Sequence, residues 1–434
     1  MCTRWSMAGL CAAVGRSSRL SLTRSATSGL LKRWQPMQAN LAFQTLPTLN
    51  ELTPEVLEQG RMGEQRRAAL ATARQLELPV WRRTDLKDFS IQNLRPVFGS
   101  VTVETTADAA AQGVYVADFQ TAANEKADLL AQYLGTAVAN DHNTFVAYNA
   151  ALAQDGLVVY VPRNVELAEP IRVTYTLPAG GQAIFPRTLI VTEANSRVTV
   201  VEEFRSADLQ SYGAVVPVAE LFANDGSEIR FISLQTLGQN AYQLGAQRAI
   251  VGRDARVWWL AGAVGANVQH IDMEVALQGN GAGLEWYGFT FGTGSQQLLW
   301  APTVKHIGLS TEGQIDFRSA VADTAYVVFD GMIDIEKGAQ GTNSDLRDAA
   351  LHLSDKARSD SIPGLEIDAN EVKAGHGSTS GQIDEEQLFY LMARGLSREV
   401  ATQMIVLGFF SAIVERIPLD DVQERVLEMI QAKM

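Results

Sequence analysis

The chain has 434 residues, enough for a large core or two to three domains, and its 46% apolar and 20% charged residues match an ordinary folded globular protein. The formal charge of −13 is unevenly spread: residues 1–36 hold Arg4, Arg16, Arg19, Arg24, Lys32 and Arg33 and no acid, so residues 37–434 carry −19. A body that acidic argues against binding a nucleic-acid backbone, which needs Lys and Arg to neutralise phosphates. Both cysteines, Cys2 and Cys11, lie in the basic leader, so the body excludes disulfides, Cys-ligated zinc and CxxC redox chemistry.

The leader, rich in Arg and Ser, has the composition of an organelle transit peptide, which would place the protein in a plastid or another organelle. Equally, Met37 reads as a true first residue after a mis-called upstream start, which leaves the protein cytoplasmic. Residues 1–49 are taken as leader or disordered segment.

Residues 50–155 read as mostly helical. Thr53-Pro54 pairs an N-cap residue with proline at the first helical position, Ala68, Ala69, Ala71 and Ala73 continue a strong helix former, and Pro79 ends it. Trp81-Arg82-Arg83-Thr84-Asp85-Leu86 then reads as an amphipathic turn with a packed Trp.

From Gly156 to about residue 370 short alternating strands follow frequent turns. Small residues recur after those turns at Ser196, Ser227, Ala255, Ala282, Gly313 and Ala339, in steps of 31, 28, 27, 31 and 26. A recurrence of 20–50 residues marks a solenoid, because one coil cannot bury its own apolar face whereas stacked coils share a core. A β-sandwich is the competing architecture. Gly279-Asn280-Gly281-Ala282-Gly283 reads as a coil corner.

From residue 371 the expectation is a C-terminal helical domain, 371–434, opening on a Gly-rich turn, Gly375 to Gly381. That turn lacks the lysine of a phosphate-binding P-loop, so nucleotide hydrolysis by this chain is not expected. Asp384 and Gln387 have capping-box spacing, Leu388, Leu391 and Met392 form a stripe, and Gly395 stops the helix. Ser397 caps a second helix carrying Val400, Met404, Leu407 and Val414, and a third begins near Asp421. The apolar run Met404 to Val414 is about half of the ~20 residues needed to cross a bilayer, so it reads as a core helix.

Three blocks carry a resemblance: Pro363-Gly364-Leu365-Glu366-Ile367, His376-Gly377-Ser378-Thr379-Ser380-Gly381-Gln382-Ile383-Asp384, and Leu388 to Leu396. Their order and spacing resemble the C-terminal signature of the SufB/SufD family, scaffold subunits of an iron-sulfur cluster assembly complex, with looser support back to Trp81. The resemblance implies a right-handed parallel β-helix core with helical flanks. It also implies a non-catalytic role, a SufB-type paralogue as partner and a SufC-type ABC ATPase docked on the C-terminal helices. Gly377 stands where SufB-type chains have Glu, which places the chain on the SufD-type side. The family's histidine at this place is a proposed interface ligand for iron or the nascent cluster, and here it is His376. Its structural alternative is a hydrogen bond holding a turn between core and helices. Where many members have Cys two positions earlier, this chain has Ala374. With no thiol in the body, the isolated chain is expected to hold no stable cluster, only to share a transient one at the partner interface. His142, His270, His306 and His352 read as structural or surface histidines. The alternative function is a carbohydrate-active β-helix enzyme using Asp316, Asp330 and Asp334.

Overall fold

The computed structural model describes residues 44–57 and 62–434; the basic leader, both readings of it, and both cysteines lie outside the described residues. The core is a parallel β-solenoid. One of its faces is a nine-stranded sheet running, in spatial order, from Val101–Glu104 through Ile171–Thr176, Arg197–Arg205, Glu228–Thr236, Arg256–Ala263, Gly283–Gly292, Glu312–Val321 and Asn343–His352 to Lys373–Gln382. Only the first pairing is antiparallel. A 15-stranded network supplies the remaining faces.

The corner that leads into this sheet explains the small-residue recurrence. Asn195, Gly226, Asp254, Gly281, Ser310 and Gly341 all have positive φ, between 53° and 79°, a conformation that Gly, Asn and Asp adopt most cheaply. Each of the six donates its backbone N–H to the next coil, from Asn195 to the Asp225 carbonyl through to Gly341 and the Glu371 carbonyl. The residue after each is buried and small: Ser196, Ser227, Ala255, Ala282, Thr311 and Thr342. The true repeat positions in the last two coils are therefore Thr311 and Thr342 rather than Gly313 and Ala339. Gly313 lies inside a strand, where a Cβ would come within 2.7 Å of Ser344 Oγ and 3.1 Å of the His306 ring. Ala339 lies three residues earlier in the same connection, its carbonyl accepting from the Thr342 hydroxyl at 2.8 Å.

Parallel register stacks inward side chains in columns. Ile171, Val200, Phe231, Trp259, Trp286, Ile315, Leu346 and His376 form one. Trp259 and Trp286 stack within it at 5.1 Å. A second column runs Val173, Glu202, Ser233, Ala261, Gly288, Phe317, Asp348 and Ser378. Burial raises the Glu202 carboxyl to about 7, against hydrogen bonds from Thr188 and Ser233 at 2.7 and 3.1 Å.

The N-terminal region carries the expected helices and, between them, short strands. Helices Gly63–Gln75, Ala107–Ala111, Phe119–Glu125, Ala127–Tyr133 and Thr144–Leu152 alternate with strands Arg95–Phe98, Val101–Glu104 and Tyr115–Ala117, which extend the solenoid sheets. Thr53-Pro54 leads only a 3₁₀ turn, Pro54–Leu57, and the first long helix ends before Pro79, with Leu76 already extended. The predicted Trp turn straps this region down: Trp81 stacks on His270 at 3.6 Å, and Thr84 Oγ1 lies 2.8 Å from His270 Nδ1. A buried ion pair, Arg187 to Glu220 at 2.7 Å, lies under the same region, Glu220 also accepting from the N–H groups of Gly135, Ala137 and Val138.

Helices Glu385–Ala393, Arg398–Val414 and Asp420–Gln431 close the chain. Asp384 accepts from the N–H groups of Glu386 and Gln387, and Ser397 from that of Val400, as their capping positions predict. Val406, Phe410, Ile413, Val426 and Ile430 pack on the outward residues Ile232, Leu260, Phe289 and Phe291 of the nine-stranded sheet. No helix of the described residues is long and apolar enough to cross a membrane.

Candidate functional site at the open end of the solenoid

The expected change from β-structure to helix at residue 371 falls too early, because Lys373–Gln382 forms the terminal strand of the nine-stranded sheet. The Gly-rich stretch Gly375 to Gly381 is thus strand, not turn. Its glycines and serines have little β-propensity of their own, and the ten-residue parallel register with Asn343–His352 imposes the conformation. That strand is its sole partner, so the far edge carries backbone groups with no strand partner among the described residues. Strands Arg358–Ser361 and Gly364–Ile367 end the other faces in the same way. The three signature blocks therefore lie together: a terminal strand, the strand with His376, and the helix that follows.

His376 stands one coil beyond buried Leu346, at an inward position with no further coil among the described residues to cover it, and it is exposed. No hydrogen bond or ion pair engages its ring among the described residues, so the alternative of a turn-holding histidine finds no support in the geometry. Around it the last strands place hydroxyls. Ser378 Oγ lies 2.8 Å from Ser361 Oγ, and His352 Nε2 lies 2.8 and 3.2 Å from the hydroxyls of Ser359 and Ser380. Beneath Ser378 is Asp348, nearly buried; burial raises its carboxyl to about 6, opposed by a Ser361 hydrogen bond and aided by the Asp316 charge. At the rim, burial of Asp360 is outweighed by hydrogen bonds from Arg358, Tyr326 and Arg83, which hold its carboxyl at about 2.

Asp348 and the hydroxyl ring were not anticipated from sequence. With the recurrence set at Thr311 and Thr342 instead of Gly313 and Ala339, residue 348 falls in register with 378, so the signal was present but offset. Of the other histidines, His306 is buried between Thr311 and Ser344, and burial lowers it to about 4. His142 and His270 both face Asp272, at 3.1 and 3.4 Å. The carboxylates of the alternative enzyme do not converge. Asp316 is on the nine-stranded sheet beside Arg318, whereas Asp330 and Asp334 flank or lie on a strand of the other network. Among the described residues no three His, Cys, Asp or Glu side chains are grouped to hold a metal.

Beside this end, the helix Glu385–Ala393 buries only Leu388 and leaves Phe389, Tyr390 and Met392 exposed, Phe389 at 72%. Val400 on the next helix is exposed as well.

Comparison with known proteins agrees with this geometry. Residues 175–409 match the family model for the SUF system FeS cluster assembly SufBD core domain, and residues 82–173 match that of the SufBD protein N-terminal region. The chain is 30% identical over 325 residues to the iron-sulfur cluster assembly protein SufD of Bacillus subtilis, covering 74% of each chain. It is 28% identical over 314 residues to SufB of the same organism, covering 72% of this chain and 67% of that one. A SufBD family protein of Staphylococcus saprophyticus is 29% identical over 310 residues, 71% of this chain and 66% of the relative. A parallel solenoid ending in an open, histidine-bearing strand, matched over both its regions, belongs to the SufB/SufD family of iron-sulfur cluster assembly proteins, in a SufD-like form.

Proposed function

We propose that this chain is a non-catalytic scaffold subunit that pairs with a SufB-type paralogue through the open end of its solenoid and docks a SufC-type ABC ATPase on its C-terminal helices. The observation that carries the reading is the terminal strand Lys373–Gln382. It presents an unpaired edge, the usual template for a strand from another chain, together with an unengaged imidazole. Iron and sulfide are the cargo. His376 supplies one ligand from this side, the paralogue supplies the thiolates that this body lacks, and Ser361, Ser378 and Asp348 line the floor of the junction. The exposed Phe389, Tyr390 and Met392 form the apolar centre of the ATPase contact. Nucleotide-driven movement of two ATPase subunits then strains the paired scaffolds and opens the junction to iron and sulfide. The test is co-expression of the three chains followed by affinity capture: recovery of paralogue and ATPase together supports the reading, and recovery of this chain alone under all nucleotide conditions contradicts it.

A further inference from the structure

The seam between the N-terminal helices and the solenoid holds a small cavity that the assembly reading does not use. Arg187 is 1% exposed. Its Nη2 donates to Glu220 Oε2 at 2.7 Å and Asn140 Oδ1 at 3.1 Å, and Nη1 reaches Asn149 Oδ1 at 3.4 Å, while its buried Nε has no partner. Arg66, on helix Gly63–Gln75, donates Nε to the Ala151 carbonyl at 2.9 Å, and its buried Nη2 is also without a partner. Arg66 and Arg187 both line one partly open cavity of about 30 Å³, together with Met62, Phe119, Leu134 and the amide side chains of Gln65 and Asn140.

The charges do not balance. Glu220 is already engaged by Arg187 and by three backbone N–H groups. Among the described residues Arg66 has no acidic partner, and burial weakens its hold on its proton. A half-buried cation without a counter-charge is costly, and so is each buried donor left unpaired. The two vacant atoms are both cationic donors, which a negative ion satisfies in charge and hydrogen bonding, whereas a water satisfies only the hydrogen bonding. The volume exceeds the roughly 10–15 Å³ that one water requires and is far too small for a nucleotide or a sugar.

We propose that this cavity binds one small inorganic monoanion of the halide class, held between Arg187 Nε and Arg66 Nη2. The ion ties the helix Gly63–Gln75 to the first coils and completes the seam around the Arg187–Glu220 pair.

The full chain is tested by thermal melts at fixed ionic strength, exchanging sodium gluconate, too large for the cavity, for sodium chloride or bromide. The expected result is a saturable rise of a few degrees in chloride and bromide that Arg66→Met abolishes, and an anomalous bromide peak between Arg66 and Arg187 in crystals grown with bromide. If Arg66→Met does not fold, the bromide peak decides alone. Equal melting in gluconate and halide, a halide shift that survives in Arg66→Met, or water alone at this position in bromide crystals would overturn the proposal.

Discussion

Leu346 and His376 are register partners on the last two strands of one sheet, yet Leu346 is fully buried and His376 is exposed. The difference is the missing next coil. In a stack where each coil covers the inward residues of its neighbour, the last coil has no described strand above it, and the family signature falls on that coil.

The exposed helix face makes a first prediction. Phe389→Ser removes the most exposed large apolar side chain of the described residues after Val80, and it supports no core. Its melting temperature should match that of the parent chain, while capture of the ATPase falls at least several-fold. Asp384→Ala is the structural control, losing about 1 kcal/mol through the helix cap. Unchanged capture by the Phe389 variant would move the ATPase contact elsewhere.

A second prediction concerns pH. The Glu202 carboxyl sits at about 7 when folded, above the ordinary glutamate value of 4.5, so the folded chain holds a proton that the unfolded chain releases. Its stabilising contribution is fully present below pH 4.5 and is lost as pH rises through 7. Glu202→Gln keeps an uncharged hydrogen-bonding group beside Thr188 and Ser233, so urea melts between pH 5 and 8 should show a shallower decline than in the parent. Parallel declines would mean that Glu202 is ionised throughout.

The solenoid was legible in the sequence because the corner itself is: five of six repeat positions follow a turn whose left-handed residue is Asn, Asp or Gly. The last two slipped because Glu312-Gly313 and Lys337-Gly338 also look like turns. The first is a strand glycine making room for His306, and the second lies earlier in the connection that ends at Thr342. Thr311 and Thr342 are β-branched and so do not look like corner residues, although Thr311 Oγ1 and Thr342 Oγ1 share a hydrogen bond at 2.9 Å. At the open end, His376 was singled out through its motif. Its strand was not, because pairing with Asn343–His352 outweighs a composition of Gly and Ser, and Asp348 emerges only once the register is known.

A third prediction addresses the buried pair under the N-terminal region. Glu220→Ala leaves Arg187 charged in the interior and three N–H groups unmatched, and should cost about 3–5 kcal/mol. The loss should appear in denaturant melts, with limited proteolysis cutting first between residues 133 and 140, the segment that Glu220 anchors. A cost within that of a surface substitution would show that the pair is relaxed by water.

Cluster retention gives a fourth. Residues 37–434 contain no cysteine, so this fragment, treated anaerobically with iron and sulfide and then desalted, should be colourless. A stable cluster absorption from the fragment alone would show ligation by groups other than thiolates.

The most direct test is cluster loading on matched amounts of the three-subunit complex built with the parent chain or with His376→Ala. Because the imidazole is exposed and engages no other described residue, the substitution should leave subunit melting and complex yield unchanged while cluster absorption falls several-fold. Full loading on an equally stable His376→Ala complex would contradict the account, removing the histidine at the open end of the solenoid from cluster assembly.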